Sequence, residues 1–405
     1  MRLTDEEKVM LDGYSGKAVQ KAMQILVALG TIYDAECLIP VSSVQVAGVS
    51  YDNLGEAGLQ FLEDMLAGGA TTRVLTTLNP AGMDIENWQA LDIDLNFAQQ
   101  QMKVIDTFKR IGIIPTCTCT PYYSGNLPLF GQHIAWAESS AVCYANSVIG
   151  ARTNREGGPA ALAAALTGRT ACFGMHLSKN RRPGITISLE INQHRIDINT
   201  SHWFGGLGKA IGEKLESIPG NLIPYIKGIS HASGEALKSF CASLATYGGC
   251  ALFYMEGITP EASLFKPPKP CMTVTSRDVE SAIESLNNAG SPQIDFISLG
   301  CPHLSIREIS RIAQLLDGKQ VKKEFWITTS RQVKQLADLA GYTKIIEASG
   351  AKIAADTCCV VAPITDRFHV LATDSAKACF YARGKHRFST VFKPFDDVVF
   401  EALNE

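Results

Sequence analysis

Cysteine thiols are the side chains in this sequence that could do the most distinctive chemistry. The 405 residues include 12 cysteines: Cys37, Cys117, Cys119, Cys143, Cys172, Cys241, Cys250, Cys271, Cys301, Cys358, Cys359 and Cys379. No two of them are spaced as CxxC. This spacing argues against a zinc ribbon, a thioredoxin-like redox site and a ferredoxin-type cluster. We expect most of these cysteines to be reduced, buried and used as small apolar residues.

Three cysteines lie instead in short polar turns. Cys119 is in TCTCTPYY, Cys301 in LGCPH and Cys358 in DTCCVV. Thiolates that converge from separate strand ends can hold an iron–sulfur cluster and leave one iron without a protein ligand. Such an iron acts as a Lewis acid on a substrate hydroxyl and carboxylate, which suits the elimination of water. Cys117 and Cys359 adjoin two of these positions and remain alternatives.

A second group of polar residues lies between positions 138 and 162, in ESSAVCYANSVIGARTNREGGPAAL. Arg152 and Arg155 stand beside Asn and Glu residues, a pattern typical of a fork for carboxylate or phosphate. A solvated loop with helix caps is the alternative, since the Gly-Gly-Pro at its end can start a helix.

Two glycine-containing loops add hydrogen-bonding groups. These loops are QVAGVSYDNLGEAG, at residues 45–58, and TTLNPAG, at residues 76–82. Their glycines let the backbone approach a ligand closely, and Ser50, Asn53 and Asn79 offer hydrogen bonds. Taken alone, these segments fit a pair of loop turns equally well.

Lys377 lies in TDSAKACFYARG, near the start of an expected helix. Thr373 or Asp374 would cap this helix, whose N-terminal amides attract anions, and Lys377 would add a positive charge. A solvated helix lysine is the alternative.

The elements that must hold these residues follow from hydrophobic periodicity. Helices are predicted near residues 16–29, 55–67 and 94–110, alternating with the strands SVQVAG, RVLTTLN and IGIIPTCT. The last third alternates helices near 278–288, 305–317 and 331–340 with the strands IDFISLG, EFWITTS and AKIAADTCCVVAPI. This order predicts an α/β fold with largely parallel sheets. Ligands bind at the carboxyl ends of such strands, where Cys301 and Cys358 fall.

Composition limits the classes of function. Lys and Arg number 37 against 40 Asp and Glu, a net charge of −3 without like-charge runs. Nucleic acids and anionic membranes are therefore not expected partners. A hydrophobic content of 46% excludes a disordered chain. Without a signal peptide or an apolar run of about 18 residues, a soluble cytoplasmic protein is expected.

Several of these segments together resemble a known family. They resemble the large, catalytic subunit of the aconitase X family, most closely its archaeal branch. The segments that carry the resemblance are, in this order, QVAGVSY, NLGEAG, TTLNPAG, CTCTPYY, ESSAVCYANSVIGARTNREGGP, GCPH and DTCCVV. The resemblance covers nearly the whole chain. It implies an aconitase-like, multi-lobed assembly of parallel or mixed sheets flanked by helices, without the small swivelling domain.

Three lobes are expected on this basis. Residues 1–130 would carry the substrate loops and the first cluster cysteine, and residues 131–270 the NSVIGARTNREGGP loop with an insertion. Residues 271–405 would form a Rossmann-like lobe with the second and third cluster cysteines.

The resemblance also implies an activity. Archaeal members dehydrate (R)-5-phosphomevalonate to trans-anhydromevalonate 5-phosphate in a modified mevalonate route to isoprenoids. The cofactor would be a [4Fe-4S] cluster on Cys119, Cys301 and Cys358, with one iron open to the substrate. A separate small subunit would complete a heterodimer by supplying the swivelling domain and the serine that acts as the main base.

Further residues carry over by position in the motifs. The substrate would contact Gly48, Val49, Ser50, Asn79, Pro80, Glu138, Ser139 and Lys377. Glu138 and Ser139 would take part in catalysis, and Arg152 and Arg155 are the expected anion contacts.

Other functions are weighed against this one. The same family includes dehydratases of cis-3-hydroxy-L-proline. An iron-sensing RNA-binding protein is a further alternative, against which the charge of −3 counts. A cysteine nucleophile formed by Cys301 with His303 would need a sharp bend between residues two apart. His133, His176 and His303 are possible proton donors, although a structural role is the more common one for each.

Overall fold

The computed structural model describes residues 1–191, 199–220, 222–288 and 293–404. The helices of this described part are α1 (Asp5–Leu11), α2 (Lys17–Ile32), α3 (Tyr51–Ala67), α4 (Leu95–Ile111), α5 (Ser139–Tyr144), α6 (Gly158–Thr167), α7 (Ser201–Glu216), α8 (Gly234–Tyr247), α9 (Ser276–Ser285), α10 (Ile306–Leu316), α11 (Arg331–Leu339), α12 (Tyr342–Ala348), α13 (Ala376–Tyr381) and α14 (Phe395–Glu401).

Short strands alternate with these helices along the chain. They are β1 (Leu38–Pro40), β2 (Ser43–Val46), β3 (Leu75–Leu78), β4 (Ala135–Trp136), β5 (Arg169–Ala171), β6 (Ile185–Glu190), β7 (Pro224–Lys227), β8 (Tyr254–Met255), β9 (Cys271–Thr275), β10 (Phe296–Leu304), β11 (Glu324–Thr329), β12 (Lys352–Ala355), β13 (Val370–Thr373) and β14 (Ser389–Phe392).

The strands form parallel sheets, as the alternation of elements predicts. The largest has the order β12-β11-β10-β13-β14, and all its pairs are parallel. Successive strands therefore run outward on both sides of β10, which is the doubly wound arrangement. Two further parallel sheets have the orders β3-β2-β4 and β8-β7-β6-β9, and β1 pairs with β5 in antiparallel fashion. These sheets confirm the predicted fold class.

Helix α10 illustrates how local sequence forms these elements. Ser305 accepts a hydrogen bond from the Glu308 N–H while the Glu308 carboxylate accepts one from the Ser305 N–H, so the first turn begins with a capping box. Ile309, Ile312 and Leu316 then repeat at helical spacing and are buried against the sheet. The helix forms because capping and the apolar stripe agree.

Two local predictions were wrong. IGIIPTCT forms no strand of the sheets, and only Ile114 bridges to Thr77, because Pro115 cannot donate a hydrogen bond and Cys117 has a φ of 41°. Helix α13 is capped by Ser375, which accepts from the Ala378 N–H at 3.0 Å, rather than by Thr373 or Asp374.

The expectation of burial for the other seven cysteines holds for Cys143, Cys241 and Cys379 only. Cys37, Cys172 and Cys250 are half-buried, and Cys271 is exposed. Cys271 begins β9, which is an edge strand of its sheet, so neighbouring strands cover it on one side only.

The three largest hydrophobic cores of the described residues surround the sheets. One joins α1–α4 and α6 to the β3-β2-β4 sheet, a second joins α5 and α7–α9 to the four-stranded sheet, and a third surrounds the five-stranded sheet. A further cluster packs Met83 and Ile93 against Phe296 and Trp326, and so connects the first and last parts of the chain. Among the described helices, none is long and apolar enough to cross a membrane.

Candidate functional site

The predicted site residues lie at the carboxyl ends of parallel strands from two sheets. Gly48 follows β2, Asn79 follows β3 and Glu138 follows β4 in one sheet. In the other sheet, Cys301 lies within β10 rather than in a turn, because the strand continues through it to Leu304, and Cys358 and Lys377 come soon after β12 and β13. The two sets of loops contact each other, since the Ser50 hydroxyl donates to the Val361 carbonyl at 2.9 Å and the Ala81 N–H to the Asp356 carbonyl at 2.8 Å.

A cavity of about 440 Å³ opens between these loops. Of the predicted substrate and anion contacts, it is lined by Asn79, Glu138, Ser139, Arg155 and Lys377. The same loops carry four other predicted residues that are not in its lining: Gly48, Val49, Ser50 and Pro80. The Oδ1 atom of Asn79 is buried and has no hydrogen-bond partner within the described part of the chain. It is therefore an acceptor available to a ligand.

Glu138 and Lys377 form a buried ion pair on the cavity wall. The Glu138 carboxylate caps α5 by accepting from the Ala141 N–H at 2.6 Å, and it also accepts from the Ser140 hydroxyl at 2.7 Å. Lys377 donates a second hydrogen bond to Ser140 at 3.1 Å. Ser140 therefore holds both charged groups in place.

The charges of this pair follow from its contacts. Burial would raise the pKa of Glu138, but the Lys377 ammonium and the hydrogen bonds from Ser140 and Ala141 outweigh it and lower the pKa. Burial would lower the pKa of Lys377, but Glu138 and the thiols of Cys301 and Cys119 raise it. Both groups therefore remain charged near neutral pH.

The three predicted cluster cysteines come together beside this pair. The thiols of Cys301 and Cys358 are hydrogen-bonded to each other, and Cys119 interacts electrostatically with Cys358. Lys377 is a nearby positive charge for all three thiols. The His303 N–H donates to the Cys119 sulfur at 3.2 Å.

The three thiols differ in acidity. The hydrogen bond from Cys301 outweighs burial and, with backbone N–H groups of Val360 and Val361, lowers the pKa of Cys358 to about 7. Burial raises the pKa of Cys119 to about 12. Across residues 1–191, 199–220, 222–288 and 293–404, no group of three or more His, Cys, Asp or Glu side chains is placed to hold a metal ion.

The adjacent cysteines face different surroundings. Cys117 is fully buried, and the charges that act on its thiol are those of Asp356, Arg331 and Lys109. The Cys359 thiol hydrogen-bonds to Ser298 and also lies near Cys358 and Cys379.

Arg152 and Arg155 occupy different places although they are three residues apart. Arg152 is half-buried, donates to the Ser178 hydroxyl at 2.8 Å and lies 3.9 Å from Glu261. Arg155 is exposed and lines the cavity.

The histidines make structural contacts. His303 is fully buried, with one ring nitrogen 2.9 Å from the Thr118 hydroxyl and the other 2.9 Å from the Thr357 carbonyl. Burial lowers its pKa to about 4, so its ring is neutral. It connects the loops of Cys119 and Cys358. His133 and His176 contact each other at 3.0 Å between their Nδ1 atoms and do not line the cavity.

Sequence reasoning missed Ser140, Tyr381 and Lys385, the last two of which line the cavity. Helices α5 and α13 are each continued by a π-helical turn, at Ala145–Ile149 and Ala382–His386. The second turn carries Lys385 to the cavity. The one available signal was proximity, since Ser140 is two residues from Glu138 and Lys385 is eight from Lys377.

Parallel α/β sheets whose loops enclose a cavity with a buried Lys–Glu pair, beside three buried thiols, define an α/β protein with its candidate site at the carboxyl ends of its strands. Family models of the aconitase X first, second and third domains match residues 1–179, 184–284 and 294–404. The chain belongs to the aconitase X family.

Relatives of known name extend this result. The phosphomevalonate dehydratase large subunit of Methanothermobacter thermautotrophicus is 43% identical, covering 97% of this chain and 96% of that protein. Its counterpart from Thermococcus kodakarensis is 44% identical over 99% of this chain and 100% of that protein. A cis-3-hydroxy-L-proline dehydratase of Hypocrea jecorina is 33% identical over 95% of this chain, which spans 65% of that protein.

A solved structure has the same architecture. The crystal structure of Thermococcus kodakaraensis aconitase X, in its holo-form, matches with a TM-score of 0.90 and 44% identity. The match covers 99% of this chain and 100% of that one.

Proposed function

We infer that this protein is the large subunit of a hydro-lyase that removes water from (R)-5-phosphomevalonate to give trans-anhydromevalonate 5-phosphate. The observation that carries this conclusion is the set of four phosphomevalonate dehydratase large subunits that are 41–44% identical over nearly the full length of this chain. The corresponding pathway is a mevalonate route to isoprenoids.

Cys119, Cys301 and Cys358 are the proposed ligands of a [4Fe-4S] cluster. Their support is the donor set itself: three buried thiols, one in strand β10 and two in separate loops, beside the positive charge of Lys377. The cysteine ligands of a cluster bind different irons, so their sulfur atoms lie farther apart than the ligands of a single metal ion. When bound, the cluster supplies Lewis-acid chemistry to a substrate hydroxyl.

The side chains of this protein have complementary roles. Lys377 stays protonated and interacts with both Glu138 and the thiols, so it balances negative charge on the cavity wall. Glu138 is held as a carboxylate that can accept a hydrogen bond from the leaving hydroxyl. Asn79 offers a free Oδ1 acceptor to the substrate. Ser139 adds a half-buried hydroxyl at the cavity wall.

A small subunit is the proposed partner. The term "large subunit" in the names of the relatives supports it. The hydroxyproline dehydratases support it as well, because this chain spans only 65–67% of their length. We propose that the partner carries the swivelling domain and the serine that acts as the main base.

The test is a comparison of substrates on the reconstituted heterodimer. The two subunits are co-expressed, the cluster is reconstituted anaerobically with iron and sulfide, and products are followed by mass spectrometry. We expect turnover of (R)-5-phosphomevalonate, none of cis-3-hydroxy-L-proline, and none by the large subunit alone. Preference for hydroxyproline would replace the proposed substrate, and turnover by the large subunit alone would remove the need for a partner.

A further inference from the structure

Three positively charged side chains line the cavity, and two of them are already paired. Lys377 is hydrogen-bonded to Glu138 and Ser140. Lys385 lies 2.8 Å from the Asp52 carboxylate and donates to the Val360 carbonyl at 3.2 Å. In the described part of the chain, the guanidinium of Arg155 has neither a hydrogen-bond acceptor nor an ion-pair partner. It is therefore available to a ligand.

Two of these cations, Lys377 and Arg155, differ in burial. Lys377 is 8% exposed and its charge acts on the thiols of Cys119 and Cys301, whereas Arg155 is exposed. A substrate that occupies this cavity next to Lys377 therefore has the guanidinium of Arg155 available to a second charged group.

The backbone under Arg155 is held in place. Residue 155 bridges to Trp136 in β4, and the Glu156 N–H donates to the Trp136 carbonyl at 3.0 Å. Glu156 is buried and accepts from the Thr170 hydroxyl at 3.0 Å. Because both neighbouring contacts are fixed, the backbone from which the Arg155 side chain extends is set by the fold rather than by a free loop.

On the basis of the proposed function, we propose that Arg155 binds the terminal phosphate of the substrate and selects phosphorylated over unphosphorylated hydroxy acids. Guanidinium is planar and donates two parallel hydrogen bonds to phosphate oxygens. The phosphate is remote from the bond that breaks, so this contact contributes to binding in the ground state and the transition state alike.

The experiment uses the reconstituted heterodimer and two substrates, (R)-5-phosphomevalonate and (R)-mevalonate. Arg155→Ala is expected to raise KM for the phosphorylated substrate and to lower its kcat/KM by about 10- to 100-fold, with little change in kcat. The kcat/KM for mevalonate should stay as in the wild type. Arg155→Lys should recover part of the loss, because it keeps the charge and loses the fork.

Controls separate this inference from the function on which it rests. Arg182→Ala removes another exposed arginine outside the cavity and should leave both substrates unaffected. Inorganic phosphate should inhibit the wild type competitively and inhibit Arg155→Ala more weakly, while the absorption spectrum of the cluster stays the same.

Three results of these experiments would overturn different claims. If the wild-type heterodimer dehydrates neither substrate, the proposed function fails. If the wild type is active and Arg155→Ala lowers kcat/KM equally for both substrates, or for neither, the role of Arg155 in phosphate selection is overturned. Loss of subunit association in Arg155→Ala, measured by gel filtration, would also overturn it by making the residue part of the interface.

Discussion

At the scale of single residues, the site combines opposite charges with three thiols in one buried volume. The Glu138 carboxylate has Lys377 on one side and the first turn of α5 on the other, so the charge is compensated twice. Lys377 in turn faces Cys119, Cys301 and Cys358. A buried charge with several partners remains charged, and this property supports the proposed roles of both residues.

Replacing each proposed cluster ligand with alanine should remove the cluster. For Cys119→Ala, Cys301→Ala and Cys358→Ala, we expect loss of the iron–sulfur absorption and EPR signals after anaerobic reconstitution, because three thiolates are needed to hold the cluster. Cys117→Ala and Cys359→Ala are the matched controls and should keep both signals. Unchanged spectra in the first three variants, or loss in a control, would contradict the assignment.

The His133–His176 pair should make stability depend on pH. His176 is 3% exposed and faces His133, Arg152 and Arg181, and both arginines are ion-paired with Glu261. Burial lowers its pKa to about 3. A base with a lowered pKa stays neutral in the folded protein but takes up a proton on unfolding below pH ~6.5. Stability is therefore complete above that pH and falls on acidification.

The measurement is urea unfolding of the protein at pH 7.5 and pH 5.5. The free energy of unfolding should fall by up to about 1.4 kcal/mol per pH unit from this one group. His176→Asn should show a correspondingly weaker pH dependence, whereas His231→Asn, at an exposed position, should behave as the wild type does. If the free energy of unfolding depended equally on pH in all three proteins, the pH dependence would not come from His176.

At the scale of elements, short helices placed directly after strands position the site. Helix α5 starts right after Glu138, α13 begins one residue before Lys377, and each continues into a π-helical turn. Helix α6 starts at the Gly-Gly-Pro segment, and an ideal Cβ on Gly158 would lie 2.7 Å from the Ala47 carbonyl oxygen. The glycine therefore allows the start of α6 to pack against the loop that follows β2.

Gly158→Ala should displace that loop. The added methyl meets backbone rather than a flexible side chain, so we expect a cost of about 1–3 kcal/mol in unfolding free energy and a lower kcat/KM in the heterodimer. Gly157→Ala is the adjacent control, because a Cβ there meets nothing within 4 Å and its φ is −77°. Similar stability and kinetics for both variants would contradict this packing argument.

At the scale of the whole molecule, an ion-pair network joins the first and last parts of the chain. Arg331, at the start of α11, donates to Asp84 at 2.6 Å, to Glu86 at 2.8 Å and to Asp356. Asp84 also accepts from the Ala355 N–H at 2.8 Å. The carboxylates of Asp84 and Asp356 are only 1% and 2% exposed, so both depend on Arg331 for compensation.

Arg331→Met should weaken the packing of the first part of the chain against the last part. Removing one partner of a buried pair leaves uncompensated charge, which costs about 3–5 kcal/mol. Arg311→Met is the control, since its pair with Asp396 is exposed and contributes about 0–1 kcal/mol. Urea unfolding measures both. A loss in Arg331→Met no larger than in Arg311→Met would show that the network does not stabilise the protein.

The sequence alone determined the fold class and predicted which segments of the chain carry the site. Strands and helices are encoded locally. Hydrophobic periodicity and capping boxes such as that of Thr4 and Glu7 depend on a few neighbouring residues, so a short stretch of sequence is enough to predict an element. The residues around Cys301 and Cys358 predict the ends of strands, and those around Lys377 predict the start of a helix. The motifs and their order along the chain indicated the family.

Only the tertiary structure decided which of these side chains meet. Arg152 and Arg155 share one motif, yet one bonds to Ser178 and the other lines the cavity. Lys385 reaches the cavity through a π-helical turn that no local pattern predicts. The physical reason is that strand order, β3-β2-β4 and β12-β11-β10-β13-β14, does not follow chain order. Contacts between loops therefore depend on the packing of distant segments, which a local sequence window does not contain.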